Sequence, residues 1–210
     1  MEHTIMPKRV ISNAHQRALD KRADGIQPHG LDKKTLKVIN YKMKDNPNEI
    51  FPIVDEDGNI LGQVTRGHAH DGSKILHPVV HLHVFNSRGE LYLQHRPAWT
   101  DIQPDKWDTA VGGHIDLGES VGDALKREVR EELGITEFTP ESLGHYVFES
   151  NREKELVYVH RCIYDGPISP SKNELSGGRF WSPEEISSNI GKGIFTPNFE
   201  NEYLKVLCQK

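Results

Sequence analysis

Gly113-His114-Ile115-Asp116-Leu117-Gly118-Glu119-Ser120-Val121-Gly122-Asp123-Ala124-Leu125-Lys126-Arg127-Glu128-Val129-Arg130-Glu131-Glu132-Leu133-Gly134-Ile135 is the stretch from which the rest of the chain can be understood. Its middle reads as a helix. Ser120 followed by Asp123 resembles a capping box and starts it; Gly134 stands where a left-handed residue ends one. Set out at about 100° per residue, Val121, Ala124, Leu125, Val129 and Leu133 form an apolar stripe that should face a core. Glu128, Glu131 and Glu132 continue that stripe, while Asp123, Lys126 and Arg130 take the outer face.

Inward carboxylates are costly. Each unpaired buried one is disfavoured by several kcal/mol, and Glu131 and Glu132 lie in the last turn, where the helix dipole opposes negative charge. Arg127 reaches Glu131 at i,i+4 but does not neutralise three acids. A divalent cation does, and an all-oxygen ligand set selects a hard one: Mg²⁺, with Mn²⁺ as its substitute. The plainer reading is a solvated acidic helix end held by Asp123–Arg127 and Arg127–Glu131 pairs, each contributing about 0.2–0.5 kcal/mol. The stripe geometry and the glycines just before the helix weigh toward the ion.

The segment resembles the Nudix box, Gx5Ex7REUxEExGU with U aliphatic. Gly113, Glu119, Arg127, Glu128, Val129, Glu131, Glu132, Gly134 and Ile135 meet its nine fixed positions. Resemblance to the Nudix hydrolases implies an α/β/α sandwich in which the box forms a loop–helix–loop. It implies that Glu128, Glu131 and Glu132 hold the metal, helped by a backbone carbonyl near Gly112–Gly113, and that Arg127 and Glu119 brace loop against helix. The implied activity is Mg²⁺- or Mn²⁺-dependent hydrolysis of a diphosphate linkage, in a nucleoside diphosphate derivative or a similar organic diphosphate. The ions neutralise the phosphates and activate a water, and one further carboxylate serves as general base. Glu131 and Glu128 are candidates within the box. Glu174, in the loop before Gly178-Arg179-Phe180-Trp181, is another, although a solvated loop residue is its plainer reading.

A wider resemblance spans roughly Glu49 to Trp181 and is closest to the Nudix branch around isopentenyl-diphosphate isomerase. It is carried by His70, Leu76-His77, Phe85-Asn86-Ser87-Arg88-Gly89-Glu90-Leu91, Arg96, Trp107 and Gly113-His114. In that isomerase, equivalents of His70, His77 and His114 join carboxylates around a metal. The chain departs from it at Gly112, where the isomerase has a cysteine before its Gly-His pair, and in possessing a full Nudix box. Hydrolysis therefore ranks first, isomerisation second and a non-catalytic Nudix-fold binding module third. His77, His114, Arg96 and Trp107 are candidates for substrate binding. His81 and His83 share one strand face and read as core or half-exposed residues. Trp99, Trp107 and Trp181 suit base stacking or, more commonly, burial.

Outward from the box, Ile50–Val54 and Ile60–Thr65 flank Asp55-Glu56-Asp57-Gly58-Asn59, a hairpin pattern. Pro78–Phe85 and Leu91–His95 flank Asn86-Ser87-Arg88-Gly89, a second one. Trp107–Val111 reads as a strand before two glycines, and Ser142–Glu149, Leu156–Tyr164 and Gly178–Trp181 as three more. Ser182 caps a helix from Pro183 to about Asn189, and Asn198–Cys208 has the pattern of a last helix. Strands and helices out of strict βαβ alternation indicate an α+β class with a mixed-sheet sandwich.

Residues 1–46 read as a basic arm, helical around Ser12–Arg22 and ending at Asp45-Asn46-Pro47-Asn48; residues 47–210 read as the Nudix domain. The arm carries ten Lys and Arg against five Asp and Glu, and the remainder sixteen against twenty-six. An acidic folded part argues against nucleic acid as partner and points to a small phosphorylated molecule handled through cations. Cys162 and Cys208 fit neither a disulfide framework nor a zinc site. No run of eighteen apolar residues occurs, which argues against a membrane span. The expectation is a cytoplasmic protein, compatible with a homodimer in which the arm docks across a partner subunit.

Overall fold

The computed structural model describes residues 46–100 and 102–208. The expectations for the basic arm, apart from Asn46, fall outside the described residues.

Both hairpins form. β1 (Ile50–Val54) pairs antiparallel with β2 (Ile60–Thr65). Their turn is fixed by the Asp55 carboxylate, which accepts the amides of Asp57 at 3.0 Å and Asn59 at 2.8 Å, an Asx turn. Thr65 then caps α1 (Arg66–Ala69), one turn of helix too short to leave a periodic sequence signal. Phe51, Val64 and Ala69 form a small apolar cluster beneath this unit.

β3 (Leu76–Phe85) is the spine of the main sheet. It runs parallel to β8 (Lys154–Ile163) along its whole length, and β8 pairs antiparallel with β7 (Glu141–Glu149). The other edge of β3 takes β6 (Val111–His114) and β4 (Leu91–His95), both antiparallel. β4 in turn pairs with β9 (Gly178–Trp181) and β5 (Trp107–Asp108). The expected single strand Trp107–Val111 is thus two. Its first part pairs with β4, its second with β3, and the chain changes neighbour at Thr109, whose hydroxyl donates to the Leu82 carbonyl.

α2 (Val121–Leu133) lies on one face of this mixed sheet. The Asp123 amide donates to the Ser120 hydroxyl, and Gly134 closes the helix at φ 68°. Its Ala124, Leu125, Val129 and Leu133 pack on Val80, Leu82 and Val84 of β3. The opposite face carries Leu91, Leu93 and Trp181 of the sheet against Ile186, Phe195, Phe199 and Tyr203. Those residues come from the C-terminal region, where α3 (Pro183–Asn189) has a complete capping box between Ser182 and Glu185. α4 (Pro197–Glu202) runs into a π-helical turn over Tyr203–Leu207 rather than continuing as α-helix to Cys208. Helix, mixed sheet and helices form the expected α+β sandwich.

Candidate active site

β6 is where the chemistry-bearing residues meet, because alternate side chains of a strand point to opposite faces. Gly113 faces α2. A Cβ there would fall on the Glu128 carboxyl, so only glycine lets strand and acid approach this closely. The neighbouring Gly112 amide lies 3.4 Å from Glu132 Oε2. Glu128 and Glu132 are each only 8 % exposed, as the stripe predicts. Glu131 departs from the expected inward set: its side chain is 40 % exposed, since its position on the helix is the edge of the stripe rather than its centre.

Arg127 holds the loop to the helix. Its Nε and Nη2 donate to the two oxygens of Glu119 at 2.9 and 2.8 Å, Nη2 also donates to the His114 carbonyl at 2.9 Å, and Nη1 donates to Glu128 at 2.6 Å. The Arg127 hydrogen bond holds the Glu119 carboxyl below its usual range, and the Glu119 hydrogen bond raises the guanidinium in turn. Glu131 stands at 3.8 Å from Arg127. Glu174 is half-buried in a loop that abuts the end of α2, where the Ser171 amide donates to the Glu132 carbonyl at 2.8 Å.

On the other face of the sheet, His70 at the end of α1, His77 of β3, His114 of β6 and Glu155 of β8 converge. Each presents one ligand atom, and these atoms lie within 4.8 Å of one another. His77 Nδ1 sits 2.9 Å from the Ile75 carbonyl and must donate to it, which leaves a lone pair on Nε2. That Nε2 is buried with no hydrogen-bond partner among the described residues, an arrangement that costs about 1–3 kcal/mol unless something accepts the lone pair. His114 Nε2 and His70 Nε2 face each other at 3.2 Å. Burial, then the Arg66 charge, hold His114 well below the usual imidazole range, and burial lowers His77. Neutral imidazoles are what a metal ion requires, and a backbone carbonyl on the far ring nitrogen orients a ligand histidine. The donor set therefore fits a divalent ion. Burial, then the neighbouring Glu153, push the Glu155 carboxyl up to about 8.

Phe51 from the N-terminal hairpin stacks on His114 with ring centroids 4.1 Å apart. Arg66 Nη1 approaches His114 Nδ1 at 3.4 Å and Arg152 Nε donates to the His70 carbonyl at 3.3 Å. Arg96 donates twice to the Ile102 carbonyl, pairs with Asp108 at 3.2 Å, and acts electrostatically on Glu153. His77 and His114 are thus brought together, with Arg96 close enough to be felt. Trp107 is not part of this group; it packs against His95 and Trp181 in the apolar cluster.

Further along the same face, His81 and His83 both approach one carboxylate. Glu202 of α4, fully buried, has its oxygens 2.9 Å from His81 Nδ1 and 2.9 Å from His83 Nε2. Tyr146 donates to Asn198 at 2.6 Å and lies 3.1 Å from Glu202. Burial opposes charge on both partners, yet Glu202 lifts the His81 imidazole to about 9, and the two histidines hold Glu202 below its usual range.

Sequence reasoning missed Glu153, Glu155 and Glu202. The signals were faint but present: Glu155 occupies an inward position in the alternation with Val157 and Val159, and Glu202 falls on the Phe199–Tyr203–Val206 stripe.

The Nudix domain model matches residues 75–199. An uncharacterised Nudix hydrolase of Pseudomonas aeruginosa, PA4841, is 32 % identical over 136 residues, covering 65 % of this chain and 80 % of that one. A second, SCO1686 of Streptomyces coelicolor, is 29 % identical over 168 residues, covering 78 % and 91 %. The crystal structure of DR0079 from Deinococcus radiodurans shares the fold with a TM-score of 0.65 at 24 % identity, over 75 % of this chain and 99 % of that one.

Proposed function

The chain belongs to the Nudix family of hydrolases, enzymes of phosphorus-containing anhydrides, and we propose that it cleaves the diphosphate linkage of a nucleoside diphosphate derivative or a similar organic diphosphate with the help of Mg²⁺ or Mn²⁺. One observation carries this reading: Glu128 and Glu132 are both buried against the two glycines of β6. Such acids are tolerable together where a hard cation sits among them.

Glu128, Glu131 and Glu132, with the Gly113 carbonyl, would hold the ion. When bound, it neutralises phosphate oxygens and acidifies water. Arg127 and Glu119 keep the glycine loop and the helix in register. Glu131 is the better candidate for the base, because Glu128 is already engaged by Arg127 at 2.6 Å while Glu131 is open to an incoming water. Glu174 is the alternative from outside the box. His70, His77, His114 and Glu155 would hold a second ion, rimmed by Arg66, Arg96 and Arg152 for the substrate's charge. The two free thiols, one of them buried, fit a reducing, cytoplasmic setting, and no helix among the described residues is long and apolar enough to cross a membrane.

The histidine cluster also favours a second reading, isomerisation of an isoprenyl diphosphate. Against it stands Gly112, which supplies no proton donor, and the nearest thiol in that sheet, Cys162, faces the α2 core. A panel of nucleoside di- and triphosphates, dinucleoside and sugar diphosphates and isopentenyl diphosphate, each with Mg²⁺ or Mn²⁺, separates the possibilities. Phosphate or nucleotide release supports hydrolysis. Double-bond migration supports isomerisation, and saturable binding without turnover supports a binding module.

A further inference from the structure

A cleft of about 620 Å³ lies between β7 and the C-terminal helical segment, with Tyr146 and Phe148 on one side and Pro197, Asn201, Lys205 and Val206 on the other. Its size is within the range of about 300–1,000 Å³ typical of small-molecule sites. The register of the sheet sets it beside the histidine cluster. His77 of β3 pairs with Glu155 of β8, and Glu155 pairs with Phe148 of β7, so the three side chains stand in one row on one face. Phe148 is the direct cross-strand neighbour of Glu155, with Cβ atoms about 4.5–5.5 Å apart, and Tyr146 is a diagonal one at about 7–8 Å. Both rings pack with Val79, Val157 and Val206. The Tyr146 hydroxyl is anchored as well, donating to Asn198 at 2.6 Å.

We propose that this cleft takes the organic group of the diphosphate substrate, and that the group is a planar ring with polar edges, of the nucleobase kind, lying against Phe148 and Tyr146 with Asn201 reading its edge. The inference rests on the diphosphate reading above. Two aromatic side chains two residues apart on one strand face offer ring surfaces on which a base stacks. Asn201, half-buried in the opposite wall, brings an amide that both donates and accepts. Covering that amide with an all-carbon chain forfeits its hydrogen bonds to water, so the cleft disfavours an isoprenyl group. Lys205 is exposed at the rim, where an ammonium suits the oxygens of a phosphorylated sugar, and Glu149 at the same edge stands 3.9 Å from Lys74. With phosphates at the histidine cluster and a ring in the cleft, one or two side-chain positions separate the two groups, which leaves room for a sugar between them. Substrate choice then belongs to β7 and the C-terminal segment, and the chemistry to the box.

Calorimetric titration of the full chain in Mg²⁺ tests this, with ADP, GDP, CDP and UDP set against isopentenyl diphosphate and inorganic pyrophosphate. In the wild type at least one nucleoside diphosphate should bind about tenfold or more tightly than the two ligands that lack a base. Phe148→Leu keeps an apolar side chain but removes the ring, and Asn201→Phe removes the amide and fills the cleft. Each should abolish the nucleoside advantage and leave pyrophosphate affinity as it was, a separation that general damage to the fold would not produce. Pyrophosphate binding without a nucleoside advantage, or an advantage kept in either folded variant, overturns the role of the cleft and leaves the diphosphate reading standing. An equal loss of pyrophosphate and nucleoside diphosphate affinity in the variants does the same. A wild type that binds none of these diphosphates overturns both.

Discussion

The place where Gly113 would carry a Cβ is taken by the carboxyl group of Glu128. This contact ties the glycine loop to the helix that follows it, and sets the depth at which the acid meets the backbone of β6. Gly113→Ala must push Glu128 away or shift the strand. The expected outcome is a loss of about 1–3 kcal/mol in stability from overpacking and a weaker grip on Mn²⁺, read by thermal melting and by paramagnetic titration of the metal-free protein.

Arg127 makes a two-pronged bond to Glu119 while also holding the His114 carbonyl and Glu128. Lysine keeps the charge but not the fork. Arg127→Lys is therefore expected to cost about 1–3 kcal/mol and to lower turnover. A double-mutant cycle with Glu119→Gln should recover a coupling energy between the two residues, and additive losses would contradict the brace.

The His81–Glu202 pair predicts a pH window. His81 is raised from 6.5 to about 9, so its contribution is complete below pH 6.5 and fades as pH climbs through about 9. Glu202 is depressed from 4.5, so its contribution is complete above pH 4.5 and fades as pH falls below that. The stability gap between wild type and Glu202→Gln should therefore be widest between pH 4.5 and 6.5. Melting curves across the pH range check this, and a gap that widens above pH 9 would contradict it.

Two separate donor sets predict two classes of ion. His77→Gln removes the lone pair that lacks a partner, and Glu155→Gln removes the carboxylate opposite it in the β3–β8 register. Either change should lower the Mn²⁺ stoichiometry by one while the ion at the box remains. An unchanged stoichiometry in both variants would remove the histidine cluster from the metal sites.

Much of this was legible in the chain itself, for local reasons. Ser120 and Gly134 bound a helix through short-range backbone hydrogen bonds, and the 3.6-residue period turned Glu128 and Glu132 inward. Asp55 fixed its hairpin through contacts no more than four residues away. What escaped was long-range. His81 meets Glu202 across 121 residues, and Glu155 reaches His77 only through a parallel pairing that no local pattern encodes. The break at Thr109 escaped for the same cause, because a strand changes neighbour according to the sheet around it. Glu131 shows the limit of the helical wheel: a residue at the edge of a stripe is placed by the neighbouring loops as much as by its angle.

Uptake of Mn²⁺ by metal-free protein, followed by electron paramagnetic resonance alongside turnover of the preferred diphosphate, tests the central claim most directly. The wild type should bind the ion and regain hydrolysis on its return. Glu132→Gln should lose the box-site signal and turn over on the order of a hundredfold more slowly. A wild type that takes up no ion at millimolar Mn²⁺, or a Glu132→Gln protein that binds and hydrolyses as the wild type does, would contradict the account.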